Sequence, residues 1–492
     1  MKRSMLNAKH SIKYNFIMNF ILSTSQFIFP LITYPYISRV LMPEGLGKVT
    51  FATSLLTYFS MFAQMGIPTY GVRVCAQVRD DRKALTRTVH ELFMINLAMT
   101  AVAYLAFVFT LLTVPRLQED RTLYIIISAM ILLNTIGVEW LYRALEEYTF
   151  ITIRSLVFKA IAVVCMFLFV RLPEDYLIYA ALTLVASHIS YILNFARAAR
   201  IISLKPVGGY SFRRHLKPIC IFFAMACATT IYTNLDTVML GFMKTDTDVG
   251  YYNTAVKIKN VLVSLVASLG TVLLPRVSYY AENQRMDAFW SVCKKALNFV
   301  LILATPLAVY FIIFAKPSIL LLSGNEFLPS VQPMQIIMPT VLFIGLTNIL
   351  GIQIMVPLNH ERMVLFSVAV GAVVDLVLNA ILIPNCASSG AAMGTLVAEF
   401  VVLLMQYWVL RRELFAIVRS ISYLKILLGL FVGTIASAWV TMMPWNNFAS
   451  LAVSALLFFG TYGSVLLLSK EKLTTEIFRS IKQKIAREAG KD

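Results

Sequence analysis

The chain has 492 residues, of which 59% are hydrophobic and only 14% are charged. This composition excludes a water-soluble enzyme built around one buried core. The formal net charge is +18. The basic residues lie mainly in the loops between apolar segments, which indicates that they orient the protein in the membrane beside an anionic leaflet and do not form a nucleic-acid surface.

Apolar segments recur from Tyr14 to Ser469, with few soluble residues between them. Each is close to the ~20 residues that cross a bilayer core about 30 Å thick. Barrel strands would be about half as long and would alternate polar and apolar residues. The sequence therefore predicts an all-α, polytopic membrane protein of about 14 transmembrane helices. In chain order the predicted spans are 14–38, 48–72, 88–114, 122–143, 155–171, 176–198, 216–243, 250–274, 292–315, 333–356, 363–383, 390–410, 424–442 and 449–468.

Lysine and arginine are distributed very unevenly between the two sides of the predicted membrane. If the N-terminus is cytoplasmic, the inner segments carry most of them, including the first 13 residues, the loops near 79–87 and 197–217, and the tail from Lys470. The outer loops then hold only Arg39, Lys48, Arg116, Arg121, Arg171, Lys244 and Lys316. The positive-inside rule therefore predicts that both termini are cytoplasmic.

A basic loop near the midpoint, which contains Pro206, Gly208 and Gly209, is interpreted as a linker between two halves. The segment that starts at Gly47 (GKVTFATSLLTYF) also resembles the one that starts at Gly250 (GYYNTAVKIKNVL). Repeats of this kind build many two-lobed transporters. The predicted organisation is an N-lobe at 1–200 (helices 1–6), a cytoplasmic linker at 201–215, a C-lobe at 216–412 (helices 7–12), helices 13–14 at 413–470 and a basic cytoplasmic tail at 471–492.

Neither a metal site nor a catalytic group is predicted. The six cysteines have no metal-type or redox-type spacing, and no cofactor is implied. They are Cys75, Cys165, Cys220, Cys227, Cys293 and Cys386.

The segment PYISRVLMPEGLG at 35–47, with the sequence that follows it up to Arg73, resembles the opening of the Wzx-type oligosaccharide flippases. These are polysaccharide biosynthesis proteins of the multidrug, oligosaccharidyl-lipid and polysaccharide exporter superfamily. Further matching stretches are VEWLYRALEEYTFITIRSLVFK at 138–159, TNLDTVMLG at 233–241, and the run from VPLNHER at 356 to VAEF at 400.

This resemblance implies two six-helix lobes plus two further C-terminal helices, around a central cavity that opens alternately to each side. The implied substrate is an undecaprenyl diphosphate-linked oligosaccharide repeat unit, moved from the inner to the outer leaflet of the bacterial cytoplasmic membrane for O-antigen or capsule assembly. A polysaccharide polymerase and chain-length machinery are the implied protein partners. Family members usually carry an amide where this chain has Asp375, with Asn379 in its expected place, so a coupling role for Asp375 is open.

Charged side chains inside spans are expensive in lipid and are expected to face a cavity or a partner. Asp236, Lys257 and Lys259 lie about two turns inside the outer ends of neighbouring predicted spans. They are interpreted either as a cationic wall for a diphosphate or as a structural ion pair. Because Lys257 and Lys259 are about 200° apart around a helix, both cannot face one partner.

Two arginines at span ends are further candidates for phosphate binding, since a guanidinium offers a planar fork to two oxygens. Arg39 ends the first predicted span on the side where positive charge is scarce. Arg73 ends the second on the inner side, where the alternative is a positive-inside anchor.

Two acidic residues inside spans are candidates for ion coupling. Glu399 lies near the centre of its predicted span, after small residues that permit close helix approach. Proton or sodium coupling through Glu399 or Asp375 is one hypothesis, and a hydrogen-bonded structural acid is the other.

The sequence favours a flippase over three other functions. A drug or cation exporter of the same superfamily is expected to have an acidic cavity, which Lys257, Lys259 and Arg39 disfavour. A membrane polysaccharide polymerase or ligase is expected to carry a large outer loop with a general acid and base, whereas the predicted outer loops are short. Charged residues inside spans disfavour a purely structural scaffold.

Overall fold

The structure is a computed structural model that describes residues 12–476, 478 and 479. No strand occurs among these residues, so the predicted all-α class is confirmed. The α-helices are α1 (Ile12–Gln64), α2 (Ile67–Gln77), α3 (Arg82–Thr113), α4 (Pro115–Gln118), α5 (Arg121–Ile136), α6 (Glu139–Ala144), α7 (Tyr148–Phe169), α8 (Tyr176–Leu184), α9 (Tyr191–Ile201), α10 (Arg213–Met243), α11 (Asp246–Glu282), α12 (Met286–Ile313), α13 (Ala315–Ser323), α14 (Val331–Ile337), α15 (Thr340–Thr347), α16 (Glu361–Val409), α17 (Arg411–Arg419), α18 (Tyr423–Ala438) and α19 (Asn447–Leu468).

Shorter helical segments complete the chain. Short 3₁₀ segments occupy Pro173–Asp175, Asn325–Ser330 and Trp439–Met442. Of two π-helical segments, Val185–Ile189 lies between α8 and α9, and Asn348–Met355 extends α15 up to the turn that precedes α16. A π-helical turn locally interrupts the regular α-helical hydrogen-bond pattern, and such turns are frequent at functional positions.

Ten helices in the described residues are long and apolar enough to cross a membrane, and up to 12 if each of two pairs bent by 44° counts as one span. Large apolar side chains are exposed on these helices, for example Leu105 (72%), Leu424 (81%) and Leu456 (77%). In water such exposure would be costly, and in lipid it is the expected outer surface. The chain is a multi-pass membrane protein, and the count of fourteen spans stays a prediction.

Two helices each run from one predicted span into the next, which corrects the loops expected between those spans. The second predicted span, 48–72, is itself broken at Gly66 between α1 and α2. Helix α1 continues through residues 39–47 with one non-helical residue, Met42, at φ 59°. Helix α16 likewise continues between the predicted spans 363–383 and 390–410, with one non-helical residue, Ala387, at φ 45°. The residue before a proline is pushed out of the helical region, and proline is well suited to begin a helix, so Met42 and Pro43 form a kink where an open loop was expected.

The described residues form two compact units, one up to Gly250 and the other from Tyr251 onward. The boundary falls in the first turns of α11. In the first unit α10 packs on α1, where Gly241 lies so close to the Phe51 ring that a Cβ atom on Gly241 would be 2.2 Å from it. The predicted lobe boundaries stay a prediction, and most of the predicted tail at 471–492 lies outside the described residues.

The glycines that open the two similar segments meet in the first unit. A Cβ atom on Gly47 would lie 1.7 Å from the carbonyl oxygen of Asp246 and 3.0 Å from the backbone nitrogen of Gly250. A Cβ atom on Gly250 would lie 2.1 Å from the carbonyl oxygen of Pro43. The backbone of α1 just after its kink therefore touches the backbone of the first turns of α11, which only residues without a side chain allow.

Ion pairs surround this glycine crossing. Arg116 binds Asp246 at 2.7 Å and Glu119 at 2.8 Å. Lys48 lies 3.4 Å from Asp120, which also accepts a 2.8 Å hydrogen bond from the Tyr176 hydroxyl. Burial by itself would lower the pKa of Arg116, but the hydrogen bonds and charges of Asp246 and Glu119 outweigh it and hold that pKa above its usual range. Arg116 therefore stays charged and fastens Asp246 beside the crossing.

We expect Gly47→Ala to destabilise the protein, because its methyl group would overlap the Asp246 carbonyl. Overpacking of this kind costs about 1–3 kcal/mol, which should lower the melting temperature of the detergent-solubilised protein by several degrees. Gly460→Ala is the matched control, since a Cβ atom there meets nothing within 4 Å and alanine favours a helix interior. Equal melting temperatures for Gly47→Ala and the parent protein would show that the crossing is looser than described.

Candidate functional site

The four basic candidates are divided between the two units. In the first unit, Arg39 is exposed near the kink of α1 and donates a hydrogen bond from Nη1 to the carbonyl oxygen of Pro35. Arg73 is exposed on α2, the short helix that follows the left-handed Gly66. In the second unit, Lys257 and Lys259 are half-buried on α11. Their assembly into one cationic wall stays a prediction.

Lys257 and Lys259 fall on different faces of α11, as their spacing requires. The hydroxyl of Tyr252, near the start of α11, lies 2.9 Å from that of Thr395 on α16. Lys259 follows Tyr252 by seven residues, about two turns, and therefore shares its face, whereas Lys257 follows by five and does not. The side of α11 that packs against Thr395 is thus the side that carries Lys259.

The acidic candidates of the second unit belong to the two halves of α16. Asp375 (2% exposed) and Asn379 (0%) lie one turn apart before the kink at Ala387, and Glu399 (5%) lies after it. A Cβ atom on Gly394 would lie 2.3 Å from Oδ1 of Asn379 and 3.1 Å from Oδ1 of Asp375. The small-residue run after the kink therefore allows the second half of α16 to pack directly on this acid and amide.

The structure thus places Asp375 and Asn379 beside Gly394, one residue before Thr395. Thr395 and Glu399 are four residues apart and lie on one face of the helix. With the Tyr252 hydroxyl that lies against Thr395, this part of the second unit contains two buried carboxyl groups, an amide and two hydroxyl groups. Oxygen-rich sets of this kind suit a proton or a hard cation. Asp236 is buried on α10 of the first unit at 8% exposure.

Several buried amides of the second unit were missed by the sequence analysis. Gln353, in the π-helical segment Asn348–Met355, and Gln406, near the end of α16, are each 2% exposed. Gln406 donates a 3.2 Å hydrogen bond to the Ser367 hydroxyl. A Cβ atom on Gly270 would lie 2.5 Å from Oδ1 of Asn348 and 2.7 Å from Nε2 of Gln353. Their sequence signal is weak, because an uncharged amide in an apolar segment does not by itself indicate burial.

A second missed group is a charged cluster in the first unit. Glu91, fully buried on α3, accepts hydrogen bonds from the backbone N–H of Ser211 at 2.6 Å and from the His215 ring at 2.7 Å, and it pairs with Arg214. The Tyr70 hydroxyl donates to the other His215 nitrogen at 2.8 Å. This cluster fastens the end of the basic loop to α3.

The remaining charged residues inside the predicted spans of the first unit also have partners. Glu139 pairs with Arg143 at 2.7 Å and with the buried Arg154 at 3.3 Å. Lys159 donates a 2.7 Å hydrogen bond to the Ser25 hydroxyl. In the part of the chain that the structure describes, no three His, Cys, Asp or Glu residues are grouped closely enough to hold a metal ion.

Solved transporters share this fold. The lipid II flippase MurJ in an inward closed conformation matches with a TM-score of 0.73 and 15% identity, covering 95% of this chain and 99% of that one. A multidrug resistance MATE family transporter of the MOP superfamily, in an inward-facing conformation, matches with a TM-score of 0.62 and 11% identity, covering 82% and 99% of the two chains. Similarity at these identities concerns the fold alone.

Sequence relatives agree with the resemblance found in residues 35–73. A protein of Escherichia coli (strain K12) described as "Putative O-antigen transporter" is 23% identical over 72% of this chain and 86% of its own length. The model of the polysaccharide biosynthesis protein family matches residues 12–281, more than half of the chain. The chain therefore belongs to the polysaccharide biosynthesis protein family.

Proposed function

We propose that the protein is a flippase for a polyprenyl diphosphate-linked oligosaccharide. The observation that carries the proposal is the pair of half-buried lysines, Lys257 and Lys259, more than ten residues inside α11. At 1.5 Å per residue they lie about 16–20 Å along α11 from its first residue and about 10–14 Å inside the predicted span that begins at residue 250, where a positive charge is costly unless it serves a polar cavity or an anionic group. A diphosphate that must cross the membrane is such a group.

The proposed cycle requires no covalent step. The oligosaccharide unit is carried on undecaprenyl diphosphate from the inner to the outer leaflet of the bacterial cytoplasmic membrane, with both termini of the protein in the cytoplasm. Two lobes alternate in access around a cavity, the basic side chains hold the diphosphate, and polar groups receive the sugars. The prenyl chain stays in the bilayer, and a polymerase with its chain-length machinery receives the product.

The alternatives predict different chemistry. The fold is shared with a multidrug transporter, so the fold does not separate a flippase from a drug exporter. The half-buried lysines favour an anionic substrate over a cationic drug. For a polymerase or ligase, the longest non-helical stretch in the described residues is the basic loop at 202–212, which the positive-inside rule assigns to the cytoplasm, away from the outer surface where such an enzyme would work.

The joint replacement of Lys257 and Lys259 by alanine tests the substrate-binding role. We expect delivery of lipid-linked oligosaccharide to the outer leaflet to fall by about tenfold or more, because a hydrogen bond to a charged group contributes about 1.5–3 kcal/mol. Accessibility of the glycan to an externally added lectin, in cells with equal amounts of each variant, measures the delivery.

The matched control replaces Lys294 and Lys295, an exposed pair on α12 of the same unit, and should leave delivery unchanged. Replacing the α11 pair by arginine should retain most of the activity if charge is what matters. Normal delivery by a stably expressed alanine variant would remove both lysines from the mechanism.

We also propose that Glu399, with Asp375 beside Asn379, couples transport to a proton or sodium gradient. Asp236 is proposed to neutralise the charge of Lys257 or Lys259 when no substrate is bound. In vesicles containing the purified protein, an imposed gradient of the coupling ion should accelerate flipping by the parent protein. Glu399→Gln and Asp375→Asn should each lose this acceleration, because neither amide can release a proton or offer a full negative charge to a cation.

Glu361→Gln, at the exposed first residue of α16, is the control for charge loss alone and should respond to the gradient like the parent. Separate proton and sodium gradients identify the ion. A structural acid would give a different pattern: the variants would lose stability or basal rate, yet whatever flipping remained would still accelerate with the gradient.

A further inference from the structure

An apolar cavity of about 200 Å³ lies in the first unit, between α3, α9 and the basic loop at 202–212. Its walls include Phe93 and Met94 from α3, Phe195 and Ala198 from α9, and Leu204 from the loop. Met94, Phe195 and Leu204 are 43%, 40% and 63% exposed, so the cavity is open at its side. An opening of this size and polarity suits a hydrocarbon chain.

The loop that covers the cavity is held in place by its own hydrogen bonds. His90 donates to the carbonyl oxygen of Ser203 at 2.8 Å and accepts from the Tyr210 hydroxyl at 3.1 Å. Both ring nitrogens are therefore used, and His90 offers no further polar group to a ligand. His90 and Glu91, which binds the backbone of Ser211, therefore hold the loop in place over the apolar cavity.

Basic residues adjoin the lining of the cavity: Arg200 follows Ala198 by two residues, and Lys205 lies between Leu204 and Pro206. Residues 176–235 contain six lysines and arginines and not one aspartate or glutamate. Arg197 and Arg214 are engaged by Glu147 and Glu91. Arg200 and Lys205 are exposed at the end of α9 and in the loop, and neither forms an ion pair within the described part of the chain.

Arg87 is the basic residue that points most clearly to a ligand. Its guanidinium packs beside Gly209, 3.4 Å from where a Cβ atom on that residue would lie, and its Nε is buried without a hydrogen-bond partner in the described residues. A buried donor without an acceptor is costly. Arg87 lies one turn before His90 and two turns before Met94 on α3, a rise of about 10 Å along the helix from Arg87 to Met94.

We propose that this cavity binds an anionic phospholipid, with one acyl chain along Phe93, Met94 and Phe195 and the phosphate at Arg87, Arg200 and Lys205. The spacing between basic rim and apolar wall matches a lipid that sits at the membrane surface with its chain directed inward. The basic rim lies on the side that the positive-inside rule assigns to the anionic cytoplasmic leaflet. The site does not depend on the proposed transport activity.

The test measures lipid binding to the purified full-length protein by native mass spectrometry. Palmitoyl-oleoyl phosphatidylglycerol is added to the protein in detergent. Palmitoyl-oleoyl phosphatidylcholine, which has the same acyl chains and no net charge, is the comparison lipid. We expect Arg87→Gln to weaken the tightest phosphatidylglycerol binding by about fivefold, the effect of one basic residue at an anionic surface. Ala198→Phe, which fills the cavity, should weaken it by about tenfold.

Leu204→Ser supports the test if Ala198→Phe fails to fold, because Leu204 lies in an exposed loop. The matched control is Arg419→Gln, an exposed arginine of α17 in the second unit, and it should bind like the parent protein. Equal affinity of the parent for the two phospholipids, or equal phosphatidylglycerol affinity of parent and Arg87→Gln, would overturn the site. Displacement of phosphatidylglycerol by an equal concentration of undecaprenyl phosphate would also overturn it, since the occupant would then be a prenyl lipid.

Discussion

Lipid offers no hydrogen bonds, and this constraint governs both the backbone and the polar side chains of the protein. The backbone satisfies its own groups within long helices. At Met42 and at Ala387 the chain changes direction with a single non-helical residue. Each kink leaves few peptide groups without a partner, so long helices with sharp kinks replace pairs of helices joined by loops.

The same constraint makes close backbone contact valuable, because apolar side chains gain little by leaving lipid for one another. Gly47 and Gly250 allow α1 and the start of α11 to touch, and Gly394 allows the second half of α16 to lie against Asn379 and Asp375. The two contacts serve different ends. The first joins backbone to backbone and is purely structural, whereas the second brings two buried polar side chains against a helix that also carries Glu399.

Sequence reasoning succeeded where a residue pattern has one dominant physical consequence. Long apolar runs gave the helices, and the run at 390–394 gave close packing. It failed where the outcome depended on a partner distant in sequence. Glu91 was not singled out from the sequence, yet it is fully buried and bonds to Ser211, Arg214 and His215, more than a hundred residues away. Gln353 was passed over because an uncharged amide in an apolar segment gives no sign of burial by itself.

The basic loop at 202–212 shows how a local sequence pattern and contacts with residues distant in sequence combine. Its composition, with Pro206, Gly208 and Gly209 close together, is typical of a flexible connection. In the structure, α3 binds it at three successive points: Arg87 beside Gly209, His90 at Ser203 and Tyr210, and Glu91 at Ser211. Because these positions lie on adjoining turns of one rigid helix, the loop keeps a defined shape over an apolar cavity. The glycines that make it look flexible instead give its backbone the left-handed conformation at Gly208 and Gly209 beside Arg87.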